Sequence, residues 1–217
     1  DTARRDIIKI IDEGSAVRTH GGISLPILKN TIKEYKERVK AYSEEKISIA
    51  KKASNFIEDN SHYFFDVSTI VKLLSKEINN PVWILTHSLD NIEILSEKKE
   101  VIVNSIGGYL NNKNRFFYNP SFISYMENLK LDIAFLGAAS ITQDGIYYVD
   151  EEDALVKRTA IKKSDKVIIL AEFEKFKRSS YYKGAAWEDI DIIITDKLPP
   201  APFIKIIESN NIELIIV

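Results

Sequence analysis

DIIITDKLPPAPFIKIIESNNIELIIV, residues 191–217, reads as strand, helix and strand in succession. In DIIITD (191–196) the apolar residues are consecutive rather than alternating, so both faces of that strand need cover. APFIKIIES (201–209) has the length and spacing of a helix, and IELIIV (212–217) is again a short apolar run. The same alternation extends backwards along the chain. EEKISIAKKASNFIEDN (44–60) places Ile47, Ala50, Ala53 and Ile57 at helical spacing. Then come the strand HYFFD (62–66) running into a turn, the helix VKLLSKEI (71–78), the strand VWILT (82–86), the helix LDNIEILS (89–96) and the strand EVIVNSI (100–106). After them stand the strand LDIAFLG (131–137), the helix DEEDALVKRTAIKKS (150–164) and the strand KVIILA (166–171). Repeated strand–helix units predict an α/β fold, a mainly parallel sheet with helices on both faces. Residues 109–120 are less regular and leave room for antiparallel strands. No internal repeat stands out.

Composition sets bounds on function. A chain of 217 residues, 45% hydrophobic, can hold one core and a small appendage. The absence of cysteine rules out disulfides and thiol chemistry and fits a reducing, cytoplasmic setting. Within these residues no apolar run of membrane length, signal-peptide pattern or low-complexity tract is read. The net charge of −2 conceals a division. Residues 1–42 carry 9 Lys and Arg against 6 Asp and Glu, and the remainder carries 21 against 26, so a basic end precedes an acidic body.

The basic end has its own pattern. DTARRDIIKIIDEGSAVRTHGG (1–22) reads as a helix followed by a tight basic turn. Asp1 and Thr2 suit a helix N-terminus, Ala3, Ile7, Ile10 and Ile11 form one apolar face, and Gly14 suits the helix end. Arg4, Arg5 and Lys9 lie off that face, and Val17, Arg18, Thr19 and His20 form a short arm closed by Gly21 and Gly22. A recognition helix in a DNA groove and an arm on the phosphate backbone need cations in such places. A surface helix with solvated charges carries the same pattern.

In a parallel sheet, ligands gather at the carboxyl ends of strands, where loops meet helix N-termini. That rule selects Asp66, Ser68 and Thr69 after HYFF, where hydroxyls and free backbone N–H groups can hold a phosphate or Ser68 and Thr69 can simply cap the helix. It selects Thr86, His87 and Ser88 after VWILT, with His87 either a ligand contact, a proton-linked switch or a backbone partner. It also selects Gly107 and Gly108 after EVIVNSI, which fit a turn or a close backbone approach to ligand equally well.

Several separated motifs together resemble the DeoR family of bacterial sugar-metabolism regulators. TARRD (2–6), Gly14 and VRTHGG (17–22) match that family's "TIRRDL…L…G…R.HGG" signature. The helix opening at Glu44 to Lys46, FLGA (135–138), Asp153-Ala154 to Lys157-Arg158, Lys175-Phe176 and DIIITD follow in the family's order. The resemblance implies residues 1–25 as the end of a DNA-binding winged helix-turn-helix, 26–42 as a linker and 43–217 as an effector-sensing domain. Such domains resemble ribose-5-phosphate isomerases and glucosamine-6-phosphate deaminases. It implies that the winged helix's earlier helices are missing, so this fragment alone should bind DNA poorly. It further implies DNA contacts from Thr2, Arg4, Arg5, Lys9, Arg18 and His20. Effector contacts would come from Asp66, Ser68, Thr69, Thr86, His87, Ser88, Gly107, Gly108, Gly137, Lys157 and Lys175, with the two lysines serving as compact charges for a phosphate. Operator DNA, a phosphorylated sugar or similar metabolite, and further copies of the chain in a dimer or tetramer are the implied partners; no metal or cofactor is called for.

The chain also departs from the family. Where the family has the phosphate loop "DSGTTT", this chain keeps Asp66 and Thr69 but has Val67, Ser68, Ile70 and Val71. His87 replaces the Asn of "TNS", Tyr147 and Tyr148 replace a Thr pair, Asn119 replaces a Gly, and Glu172, Glu174 and Lys177 replace Asp, Ser and Gly. The expected function is therefore a sugar-responsive repressor, not an enzyme, with an altered pocket. Two alternatives stand beside it. One is an isomerase- or deaminase-type enzyme using carboxylates among Asp66, Asp150, Glu152, Asp153 and Glu172. The other is an oligomerisation module that has lost its ligand.

Overall fold

The computed structural model describes residues 5–9, 17–19, 22–24 and 43–217. Residues 5–9 are helical and exposed, including Arg5 and Lys9. Strands β1 (Val17–Thr19) and β2 (Gly22–Ser24) pair antiparallel, Arg18 opposite Ile23, so the expected arm is one side of a hairpin. Thr2, Arg4 and His20 lie outside the described residues, as do Gly14 and the linker 26–42.

From residue 43 the chain alternates as expected. Helix α1 (Glu44–Ser54) starts where Ser43 Oγ accepts the Lys46 N–H. It leads to β3 (His62–Phe65), α2 (Thr69–Glu77), β4 (Val82–Thr86), α3 (Leu89–Leu95) and β5 (Val101–Ser105). The irregular stretch is an antiparallel pair, β6 (Tyr109–Asn111) with β7 (Phe116–Tyr118). Helix α4 (Phe122–Met126) returns the chain to β8 (Leu131–Gly137). Strands β9 (Ser140–Thr142) and β10 (Gly145–Tyr148) then precede α5 (Glu151–Ile161) and β11 (Ser164–Leu170). Finally come a 3₁₀ turn at Phe173–Lys177, β12 (Tyr182–Ala185), β13 (Ile192–Thr195), α6 (Ala201–Ser209) and β14 (Glu213–Ile216).

Seven strands form one sheet in the order β14-β13-β11-β8-β3-β4-β5, and every pairing in it is parallel. Its consecutive apolar residues have the explanation expected of them: alternate side chains enter two separate cores. Phe64, Leu136, Ile169 and Ile193 pack with Val156 of α5 and Phe203 of α6. Tyr63, Phe65, Phe135, Ile168 and Ile194 pack on the other face with Ile49 of α1 and Val71 and Leu74 of α2. Each fully buried Ile, Leu or Phe contributes about 1.5–3 kcal/mol, so the two-sided burial dominates the fold. A second sheet, β12-β10-β9, is antiparallel and sits beside α5. No helix among the described residues is long and apolar enough to cross a membrane.

Candidate functional site

Strands β3 and β8 are adjacent and parallel, so their carboxyl ends, Asp66 and Gly137, come side by side. The Asp66 carboxylate, fully buried, accepts the Ser68 N–H through Oδ1 and the Gly137 N–H through Oδ2, both at 2.8 Å. Its Oδ2 also lies 3.0 Å from Lys157 Nζ. Lys157 reaches this point from α5, one turn beyond Asp153, whose Oδ2 accepts from Nζ at 2.9 Å. The ammonium, 3% exposed, therefore bridges two buried carboxylates, and it stands 3.7 Å from the centre of the Tyr148 ring. Pairing of this kind is what a buried charge requires, since leaving one partner alone costs several kcal/mol, roughly 3–5.

The network extends behind Asp153. Its Oδ1 meets His87 Nε2 at 2.8 Å, and the fully buried imidazole stacks on Phe64 and touches Phe116. Burial alone would push the Asp153 carboxyl up; the Lys157 charge and the His87 hydrogen bond prevail and hold it at about 2. An ionised Asp153 can only accept, so His87 Nε2 carries a proton, and His87 Nδ1 is buried with no partner among the described residues. Burial pushes the Tyr148 phenol well above its ordinary range, and the charges of Asp66 and Asp153 push it further. Its hydroxyl donates to the Gly137 carbonyl at 2.9 Å. At the mouth, burial raises the Asp150 carboxyl, the Asp153 charge adds to the rise, and a 2.7 Å hydrogen bond from Asn114 opposes it.

These groups line a cleft with Val67, Ser68, Gly137, Ala138, Ala139 and Val149. The cleft encloses about 370 Å³ out to its mouth, of which only about 30 Å³ admits the centre of a water molecule. That is room for about two waters. The family departures explain the crowding. Val67 is buried against Phe116, Tyr148 fills the floor, and Ser68 packs so tightly on Gly137 that a Cβ there would lie 2.2 Å from the Ser68 Cβ.

Of the residues singled out from sequence, Ser68, Gly137 and Lys157 line the cleft, Asp66 supports its wall and Thr69 begins the helix beside it. His87 stands one residue behind, through Asp153. Thr86 and Ser88 lie deeper: Thr86 Oγ1 donates to the Phe65 carbonyl and Ser88 Oγ caps α3, so both hydroxyls serve the backbone. Gly107 and Gly108 have positive φ at the entry to β6, and a Cβ on Gly108 would lie 2.2 Å from the Tyr118 carbonyl oxygen. That geometry suits a turn at this pair. Lys175 is buried in the 3₁₀ turn and is not among the residues lining the cleft. Among the carboxylates of the enzyme alternative, Asp66, Asp150 and Asp153 converge here, whereas Glu172 pairs with Lys46 at 3.8 Å. Asn114 gave no sequence signal: it enters only because the β6–β7 hairpin folds over the cleft.

A cleft lined by charged groups at the carboxyl ends of a parallel sheet is the place where α/β domains of the ligand-binding class take their ligands. Residues 41–197 match the family model described as the DeoR C-terminal sensor domain. The whole chain is 35% identical to the HTH-type transcriptional repressor GlcR of Bacillus subtilis (strain 168), aligning with 84% of that protein. It is 26% identical over 98% of its length to the glycerol-3-phosphate regulon repressor of Escherichia coli (strain K12), of which it covers 85%. Among solved structures it is similar to ribose 5-phosphate isomerase A from Neisseria gonorrhoeae, with 15% identity, a TM-score of 0.44 and coverage of 63% of this chain and 53% of that one. The chain belongs to the DeoR family of HTH-type transcriptional regulators.

Proposed function

We propose that this protein represses genes of sugar metabolism and that a phosphorylated sugar or related metabolite, bound in the Lys157 cleft, controls its grip on operator DNA. The observation that carries the reading is Lys157. A buried ammonium is held at the carboxyl ends of β3 and β8, beside the first turn of α2. Helix geometry leaves first-turn N–H groups without intrahelical partners. Ser68 Oγ takes the Val71 N–H and Asp66 takes that of Ser68, which leaves those of Thr69 and Ile70 for an anion. The repressor names of GlcR and the glycerol-3-phosphate regulon protein support the output and the chemical class.

In this reading Asp66 and Gly137 set the floor, Ser68, Thr69 and Lys157 meet the phosphate, and His87 holds Asp153 in place. Arg5 and Lys9, together with Thr2, Arg4, Arg18 and His20, contact DNA, with the protein acting in the cytoplasm as a dimer or tetramer. A cleft with room for two waters must open to admit a sugar phosphate. The effector therefore selects a wider state, and its differential affinity for that state moves the DNA-binding heads. The protein is not an enzyme: the three carboxylates of the cleft are engaged with Lys157, His87 and Asn114 rather than poised as free bases.

Thermal unfolding against a panel of phosphorylated sugars tests this. A ligand at 100 times its dissociation constant adds about 2.7 kcal/mol. A rise with one compound, abolished in Lys157→Gln measured against its own ligand-free curve, is the expected result. No rise with any compound would overturn the effector assignment. Turnover of ribose 5-phosphate or glucosamine 6-phosphate would overturn the non-enzymatic one.

A further inference from the structure

A hydrogen bond crosses the mouth of the cleft, and its two partners are held very differently. Asn114, in the loop of the β6–β7 hairpin, donates from Nδ2 to Asp150 Oδ2 at 2.7 Å, and both residues line the cleft. The hairpin is anchored from behind. The Leu89 N–H donates to the Arg115 carbonyl at 3.0 Å, and the Phe117 N–H to the His87 carbonyl at 2.7 Å. Arg115 Nε and Lys72 Nζ both bond the buried Asp90 carboxylate. Arg115 is kept at φ 57, a left-handed conformation that persists in such a residue only where its surroundings impose it. The Asn114 N–H is taken by Asn111 Oδ1 at 3.0 Å. Asn114 is therefore a fixed post. Asp150 is the N-cap residue of α5, in extended conformation, and its carbonyl accepts the Ala154 N–H at 3.1 Å. An aspartate at that position ordinarily turns its carboxylate back to accept an N–H of the first turn. Here the cap bond is not made, and the carboxylate reaches across to Asn114 instead. That placement is unfavourable for the ionised group, because burial first and the Asp153 charge second work against it.

We propose that Asp150 is the latch of the cleft: bonded to Asn114 it holds the mouth shut, and swung back onto the first turn of α5 it leaves the mouth open. Opening gives up one hydrogen bond of the carboxylate and makes another, so the two states lie close in free energy, as a ligand-controlled switch requires. No bond of the Lys157 network has to break. An incoming phosphate favours the open state, because its charge repels a carboxylate held at the mouth. The latch itself stands independently of the effector reading given above, whereas what releases it rests on that reading.

Amide hydrogen exchange in the whole ligand-free chain tests the latch, with Asn114→Ala and the double variant Asn114→Ala, Asp150→Ala beside it. Freed from Asn114, the carboxylate caps α5. The Glu152 or Asp153 amide should then be about fivefold better protected in Asn114→Ala, and the double variant should lose that gain. A merely structural Asn114 gives the opposite sign, since a loosened hairpin lowers protection. Unchanged or lowered protection in Asn114→Ala would overturn the proposal, as would the same gain in the double variant. Calorimetric titration with inorganic phosphate tests the release. Asn114→Ala has no latch to break and should bind about threefold more tightly than the native chain. Equal or weaker binding would overturn release by the anion, weaker binding making Asn114 a ligand contact. If neither protein binds phosphate saturably, the effector's part is overturned while the exchange result still decides the latch, so the two readings fail separately.

Discussion

The turns after β3 and β4 start from the same local construction. In each, a parallel strand ends, a serine in extended conformation follows, and its hydroxyl caps the next helix: Ser68 Oγ accepts from Val71 at 3.1 Å and Ser88 Oγ from Asn91 at 3.2 Å. Their surroundings differ. Across the first turn stand Gly137, Lys157 and Tyr148, and the cleft stays open to solvent. Across the second runs β7, whose Phe117 N–H donates to the His87 carbonyl at 2.7 Å while Arg115 accepts from Leu89. That strand seals the turn, and His87, Thr86 and Ser88 become almost wholly buried. A strand–Ser–helix turn is thus only an opportunity for a site. What crosses the strand ends decides whether it opens to a ligand or closes into core.

The two turns nevertheless share one charge network, since Asp66 comes from the first, His87 from the second, and both end on Lys157 or Asp153. The largest expected effect comes from cutting it at its centre. Lys157→Met strands Asp66 and Asp153 as buried carboxylates and should cost about 3–5 kcal/mol, read as a fall in the urea midpoint. A loss below about 1 kcal/mol, the value typical of exposed pairs, would mean that both carboxylates reach water and that the cleft is wider than described. Next comes the sealed side. His87→Ala removes a buried ring stacked on Phe64 and the hydrogen bond to Asp153, and should cost about 2–4 kcal/mol. If the second turn is closed core, no sugar phosphate should offset that loss by direct contact with residue 87.

Much of the fold was legible because a parallel sheet covered on both faces writes itself as apolar runs: VIILA and DIIIT could bury every side chain only between two helical layers. The three-stranded sheet of β9, β10 and β12 was not read. Its strands are three or four residues long, and β12 joins across α5 and β11, so no local period marks it. The lining of the cleft was half legible. Strand ends and family spacing pointed to Asp66, Ser68, Gly137 and Lys157. They pointed with equal force to Thr86, Ser88 and the two glycines, because sequence shows where a strand stops and not what lies across its end. The hairpin that seals the second turn, and brings Asn114 to Asp150, is a tertiary fact.

Acid should expose the shared network. The Asp153 carboxyl, held at about 2 against an ordinary 3.8, is depressed in the folded state. Its contribution is therefore fully present above pH 4 and is lost as the pH falls from there towards 2, an effect of order 2 kcal/mol. Asp150 acts in the opposite sense, because burial raises its carboxyl and protonation relieves it. Stability followed from pH 5 to pH 2 should fall in the native chain and fall less in Asp153→Asn. Asp150→Asn should make the fall steeper. Parallel curves for all three proteins would show that the network does not govern acid unfolding.

The smallest effect discriminates best between the turns. Ser68→Ala and Ser88→Ala each remove one N-cap hydroxyl, worth about 1 kcal/mol, so the two variants should lose similar melting temperature without ligand. With the stabilising sugar phosphate present they should part. Ser88→Ala keeps the full ligand-induced rise, because its hydroxyl serves Asn91 and lies outside the cleft. Ser68→Ala changes the cleft itself in two opposing ways. It removes a donor from the phosphate position, and it frees the space that the hydroxyl fills beside Gly137, the Cβ staying in place. The charge-assisted contact outweighs the crowding if the anion sits over the first turn of α2, and the rise is then reduced. An increased rise would mean that the hydroxyl obstructs rather than binds, which moves the phosphate towards Lys157 alone. Equal rises in both variants would show that the open turn, for all its exposure, meets no part of the ligand.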